Sequence, residues 1–168
     1  MRHARRRNMY LDMPRSQHPR VPGQQTNGDA MPTMTQPWPQ IAARYDDYKG
    51  EHKSIRALGA LAQRITQSPL AKGLHAWTSM FDLCIVQIPV SYPFDGPFLR
   101  ISPTTEDRIE FRYVDTLEKD KQWHRTVDAN QAWPRLIRFL DQLRWFPVDV
   151  LQPLNNSLSM TCLPEAHK

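Results

Sequence analysis

The spacing of apolar residues changes twice along this chain, and this change limits the folds that the chain can adopt. Apolar residues first recur every three or four positions, then every second position, and then every three or four positions again. A period near 3.6 is typical of an amphipathic helix, and a period of two is typical of a strand. The two helical stripes consist of Ile55, Leu58, Leu61, Ala62 and Ile65, and of Trp133, Leu136, Ile137, Leu140 and Leu143. The sequence therefore predicts an α+β chain.

Between the two helical stripes, the chain contains segments that predict strands. They are WTSMFDLCIVQI, FLRIS, RIEFRYVD and QWHRTV. The second and third segments are separated by PTTED, whose residues favour a tight turn. We therefore predict a two-layer sandwich, in which an antiparallel four-stranded meander carries an N-terminal and a C-terminal helix packed on one face. The other face of the sheet would be open.

The composition of the first residues differs from that of the rest of the chain. Five of the fifteen prolines lie within residues 1–37, which contain few aliphatic side chains. Such a segment buries too little apolar surface to offset the entropy lost on ordering. We predict a disordered, basic, proline-rich arm at 1–37, a single α+β domain at 38–147 and a C-terminal tail at 148–168.

The positive charge of the chain is concentrated in this arm. Residues 1–37 contain six arginines and two aspartates, which gives them +4 of the total charge of +5. The remaining residues contain 16 basic and 15 acidic side chains, so they are nearly neutral. Clustered arginines bind phosphates without sequence preference. We therefore expect any nucleic-acid binding to be weak and to involve the arm alone.

Motifs for metal or cofactor binding are missing from the sequence. Cys84 and Cys162 are far apart, the six histidines are scattered, and the glycine-rich phosphate loops do not occur. We predict free thiols, no metal and no cofactor. No run of residues approaches the ~20 consecutive apolar residues of a membrane span. We therefore predict no membrane span and a cytoplasmic location.

Strand alternation assigns each side chain of the predicted sheet to one of its two faces. The residues expected to face the helices are Phe81, Leu83, Ile85, Leu99, Ile101, Ile109, Phe111, Tyr113, Trp123 and Val127. The open face is expected to carry Asp82, Cys84, Phe98, Arg100, Glu110, Arg112, His124 and Thr126. Arg125 is turned inward by the same alternation, so we expect it to reach the rim of an edge strand.

These residues allow three interpretations of the open face. In the first, opposite charges pair across strands and only keep the sheet soluble. In the second, the face binds a protein partner or a second copy of the chain, because arginine and aromatic side chains supply much of the energy of such contacts. The residues of this interpretation are Arg100, Arg112, His124 and Phe98, with Tyr92 and Phe94 of the loop PVSYPFDGPF.

The third interpretation is catalytic. Cys84 would be the nucleophile of a cysteine-dependent hydrolase, His124 its base, and Glu110 or Asp82 the orienting carboxylate. A cysteine in a strand lacks the cationic setting that lowers a thiol pKa, and no glycine-rich oxyanion loop adjoins it. Of the two functional interpretations the sequence therefore favours a non-enzymatic protein-interaction domain that uses the open sheet face. The hydrolase and nucleic-acid binding through the arm are the alternatives.

Overall fold

The computed structural model describes residues 33–48, 52–105 and 107–156. Every described residue belongs to the unit Met31–Lys168. Most of the predicted arm, and the end of the predicted tail, therefore lie outside the described residues. The fold below is that of this unit alone.

Helices flank the sheet in sequence on both sides. They are α1 (Trp38–Asp47), α2 (Lys53–Thr66), α3 (Ala132–Gln142) and α4 (Val148–Asn156). Short 3-10 turns occur at Pro69–Lys72, Lys119–Lys121 and Ala129–Gln131. Both predicted helical stripes are confirmed, because α2 buries Leu58, Leu61, Ala62 and Ile65 and α3 buries Trp133, Leu136, Ile137 and Leu140.

The sheet is an antiparallel meander with five strands, which confirms the α+β class and corrects the predicted number of four. In spatial order, which is also chain order, the strands are β1 (His75–Ser79), β2 (Asp82–Val86), β3 (Phe98–Pro103), β4 (Arg108–Val114) and β5 (Trp123–Asp128). The extra strand arises because the first predicted strand turns back on itself, with Ser79 opposite Asp82. Met80 has a φ of 55° in this turn. The turn escaped prediction because Met and Phe replace the glycine or asparagine that usually occupies such positions.

The predicted assignment of side chains to the helix-facing side is confirmed for most residues. The register pairs Leu83 with Ile101 and Ile101 with Phe111, and all three side chains are fully buried. Ile85 and Leu99 form the neighbouring buried pair. Phe81 is the exception, because it lies in the β1–β2 turn with 42% of its surface exposed.

One hydrophobic core joins this face of the sheet to the helices. Full burial of a Leu, Ile or Phe side chain stabilises a fold by roughly 1.5–3 kcal/mol, and the buried aromatic groups also find hydrogen-bond partners. Trp38 Nε1 donates to the Leu74 carbonyl at 2.8 Å, and Tyr45 Oη donates to the Phe81 carbonyl at 3.1 Å. Burial of Tyr45 raises the pKa of its phenol above the ordinary value.

The structure differs from the predicted boundaries at both ends of the domain. Within the predicted arm, the Met34 N–H donates to the Val90 carbonyl and the Gln36 N–H to the Ala76 carbonyl, both at 2.7 Å. Within the predicted tail, residues 148–156 form α4, which buries Leu151 in the core although Pro153 lies inside the helix. These segments pack because a few apolar side chains and backbone bonds anchor them, which composition alone does not reveal.

Candidate functional site

Aromatic side chains cover one end of the sheet face that points away from the helices. We call this side the open face; it bears Trp77, Asp82, Cys84, Phe98, Arg100, Arg108, Glu110, Arg112 and His124. The loop between β2 and β3 brings Phe94 to 6.2 Å from Trp77 and 6.4 Å from Phe98, between ring centroids. Trp77 and Phe98 are 5.5 Å apart. We call Trp77, Phe94 and Phe98 the aromatic cluster.

The predicted loop residues separate into a packed one and a projecting one. Phe94 belongs to the aromatic cluster, whereas Tyr92 has 74% of its surface exposed. The Tyr92–Pro93 peptide bond is cis. Trp77 was not among the predicted site residues, because its strand was not separated from β2 in the sequence. The strand-favouring residues next to Trp77 in the sequence were the signal that could have placed its side chain on the open face.

The open-face residues that the sequence predicts form a row across the sheet. Cys84 lies opposite Arg100, Arg100 opposite Arg112, and Arg112 opposite His124. Trp77 precedes the row on β1, opposite Cys84. The structure therefore places these predicted residues on one side of the sheet, with the aromatic cluster at one end and the exposed His124 at the other, although Cys84 itself is buried.

Each arginine of the open face is held by a carboxylate of the same face. Arg100 binds Asp82, with Nε at 2.7 Å from Oδ2. Arg112 Nη2 lies 2.9 Å from Glu110 Oε2. The two arginine side chains remain 45% and 48% exposed, while Asp82 and Glu110 are more deeply placed, at 13% and 17%. The pairing orients the guanidinium groups toward solvent and leaves the row with almost no net charge.

Arg108 extends this pattern to the far end of β4. Its Nε lies 3.9 Å from Asp128 Oδ1, and both side chains are exposed. Exposed ion pairs contribute only about 0–1 kcal/mol to stability. The main consequence of the three pairs is therefore the nearly neutral charge that they give to the surface.

The predicted catalytic residues do not form a triad. Cys84 lies on β2 and His124 on β5, with two strands between them. At the usual strand spacing this corresponds to ~14 Å, which is far beyond hydrogen-bond distance. Burial, and to a smaller extent the nearby Asp82, raises the pKa of the Cys84 thiol to about 12, and Arg100 offsets only part of this rise. Glu110 is bound by Arg112. The arrangement therefore gives the hydrolase alternative no support.

Comparisons with protein-family models, with curated proteins and with solved structures found no match to this chain. None of the helices in residues 33–48, 52–105 and 107–156 is long and apolar enough to cross a bilayer. Over the same residues, no group of three His, Cys, Asp or Glu side chains is placed to hold a metal ion. Any assignment of function therefore depends on the surface itself.

Proposed function

We propose that this chain is a non-enzymatic protein-interaction domain and that the open face binds a protein partner. The observation that carries the proposal is the position of solvent-facing, carboxylate-oriented arginines directly beside an aromatic cluster. Aromatic and arginine side chains are enriched among the residues that contribute most to protein interfaces. Their orientation by Asp82 and Glu110 reduces the side-chain entropy that binding would otherwise cost.

The local charge of the face favours a protein over a nucleic acid. Nucleic-acid surfaces bind proteins mainly through unneutralised Lys and Arg side chains that contact phosphates. On the open face, Asp82, Glu110 and Asp128 already bind the three arginines. Such a surface suits a partner that combines apolar and polar groups. Nucleic-acid binding through the arm stays a prediction, because the basic residues of the arm lie outside the described residues.

The alternative explanation of the same face is that its charge pairs only keep the sheet soluble. Partly exposed ion pairs of this kind contribute only about 0–1 kcal/mol each. Under that explanation, the exposed atoms of the arginines and of Tyr92 contact nothing but water in every state of the protein. Their removal would then have no effect on the binding of any partner, which gives the two explanations different experimental outcomes.

The test begins with a tagged full-length chain as bait in native lysate, followed by identification and purification of the captured protein. The dissociation constant is then measured by calorimetry for the wild type, for Arg100→Gln/Arg112→Gln and for Tyr92→Ala. We expect the double variant to bind about 100-fold more weakly, because two residues of this type each contribute roughly 1–2 kcal/mol or more at an interface centre. Tyr92→Ala should weaken binding less, because it removes a single side chain that projects from the loop between β2 and β3.

The matched control is Arg56→Gln, which removes one exposed arginine from α2, away from the open face. Circular dichroism and the melting temperature verify that each variant is folded. An unchanged dissociation constant for the folded double variant would exclude the open face as the contact surface. If the captured protein is a second copy of the chain, sedimentation should show a dimer for the wild type and a monomer for the double variant.

A further inference from the structure

A second cationic region lies where α3 packs against β5, on the helix-facing side of the edge strand. It is a pocket of about 280 Å³ whose lining includes Trp123, Arg125, Arg135 and Gln142. We call these four residues the β5 pocket. His124 also borders it, but strand alternation directs the His124 side chain to the open face. Within residues 33–48, 52–105 and 107–156, no carboxylate lines this pocket.

Strand and helix geometry explain how these side chains meet. Arg135 and Gln142 are seven residues apart on α3, which places them on one flank of the helix two turns apart. Arg125 occupies the helix-facing parity of β5, opposite the buried Phe111. Because β5 is an edge strand, Arg125 reaches solvent at the rim, as the sequence predicts. This position at the rim places Arg125 near Arg135.

Arg135 is held in place but lacks a hydrogen-bond partner for part of its guanidinium. Its Cζ lies 5.2 Å from the centroid of the Trp123 ring, which orients the guanidinium plane. Its Nε is buried and has no hydrogen-bond partner among the described residues. A buried donor without a protein partner is costly, and in native proteins such a group is satisfied by an ordered water, an ion or a ligand.

The electrostatic surroundings of Arg135 point in the same direction. Burial lowers its pKa, and the neighbouring Arg125 and Arg138 lower it further. Among the ion pairs within the described residues, none includes Arg125, Arg135 or Arg138. The protein therefore gathers like charges here and supplies no opposite charge of its own in the part that the structure describes. A bound anion would relieve this repulsion.

We propose that the β5 pocket binds a phosphoryl group. Two guanidinium groups that have no carboxylate partner among the described residues match an oxyanion that carries more than one charge and several acceptor oxygens, as a phosphate monoester does. The Gln142 side-chain amide supplies a neutral donor at the far end of the pocket. The volume accommodates a phosphate and a small attached group, and the Trp123 ring gives that group an apolar wall. This inference goes beyond the proposed function, because it uses the opposite side of β5.

The experiment uses the full-length, ¹⁵N-labelled chain and follows the Nε–H resonance of Arg135 during titration with inorganic phosphate. We expect a saturable shift of this resonance and of the Arg125 and Gln142 amide resonances. Arg135→Gln and Arg125→Gln should each weaken phosphate binding by about tenfold or more, because each removes a charge-assisted hydrogen bond. Arg56→Gln is the matched control and should leave binding unchanged.

Parallel titrations define the ligand chemistry. Acetate at equal ionic strength should shift the Arg135 resonance far less than phosphate does. Phenyl phosphate as the stronger ligand would assign the pocket to a soluble monoester, whereas cosedimentation with phosphatidate vesicles would assign it to a lipid headgroup. Equal responses to phosphate and acetate, or equal binding by wild type and Arg135→Gln, would overturn the proposal. The open-face double variant Arg100→Gln/Arg112→Gln should retain phosphate binding, so the two proposals can fail separately.

Discussion

The arginines of the open face and those of the β5 pocket differ in whether a carboxylate lies beside them. On the open face, Arg100 and Arg112 each bind a carboxylate of the same surface. In the β5 pocket, no carboxylate from the described part of the chain lies beside Arg125 and Arg135. The two regions share β5, and they lie on opposite sides of the sheet.

The pairing of arginines with carboxylates, and not the number of charges, therefore decides which ligand a surface suits. The residues after position 37 are nearly neutral in total, yet their charges are not evenly neutralised. Paired arginines act as oriented hydrogen-bond donors with little net field, which suits a protein partner. Arginines without a carboxylate partner retain their electrostatic field and keep N–H donors available, which suits an anion.

The largest expected effect is at Phe139, whose ring supports the β5 pocket from the core. This ring is fully buried and lies 4.5 Å from Trp123 and 6.1 Å from Tyr113, between ring centroids. We expect Phe139→Ala to lower the free energy of unfolding by about 3–5 kcal/mol, since truncation of a buried Phe loses transfer energy and leaves a cavity. Urea denaturation followed by circular dichroism measures the change.

Phe139→Leu is the graded control, and it should cost less than about 1.5 kcal/mol because it keeps most of the apolar contact. Phe139→Leu should also retain binding through the open face, because the aromatic rings that Phe139 contacts do not belong to that face. If Phe139→Ala lowered the free energy of unfolding by less than Phe139→Leu does, α3 would not be anchored to β5 through this ring.

Asp82 offers a way to convert part of the open face into an unpaired cationic region. Asp82 raises the pKa of the Cys84 thiol and Arg100 lowers it, with burial as the largest cause of its rise to about 12. Replacing Asp82 with Asn removes the negative charge and frees Arg100, so the thiol pKa should fall. Below its pKa, the thiolate fraction grows tenfold for each unit by which the pKa falls. We therefore expect alkylation of Cys84 by iodoacetamide at pH 8 to become about tenfold faster.

Asp128→Asn is the matched control for this prediction, because Asp128 pairs with Arg108 on the same face at a different position from Cys84. It should leave the alkylation rate of Cys84 unchanged. In the wild type the rate should rise tenfold per pH unit across the range in which the protein stays folded, because the pKa lies above that range. Equal acceleration by the two variants would show that alkylation reports local unfolding and not the thiol pKa.

Much of the sheet could be predicted from sequence because alternation is a local property. Leu99 and Ile101 on β3, and Ile109 and Phe111 on β4, are fully buried as their spacing predicts. The same alternation placed Arg100 and Arg112 together on the other side. A pattern with a period of two fixes the face of every residue in a strand once the buried face is known.

The missed features depend on contacts between residues that are distant in sequence or on unusual local chemistry. The Met80 turn lacks the residues that normally mark a hairpin, and α4 forms despite Pro153. The β5 pocket depends on how α3 docks on β5, which brings Arg135 to Arg125 and Trp123. Strand alternation in the sequence identifies Arg125 as a charged residue at an inward position. It could not show that a second arginine without a carboxylate beside it would meet Arg125 there.

The smallest expected effect is a change in stability that differs in sign between the two regions. Arg112→Met should destabilise the fold by up to about 1 kcal/mol, since it leaves Glu110 without its partner on a partly exposed surface. Arg135→Met should be neutral or stabilising by up to about 1 kcal/mol. Its aliphatic stem keeps the packing on Trp123 while the disfavoured charge is removed, and only a cation–π contact of similar size is lost. Chemical denaturation at low salt, with each variant compared with the wild type, measures both changes. Destabilisation of the same size by both variants would show that Arg135 has a partner, and the two regions would then no longer differ in the way described.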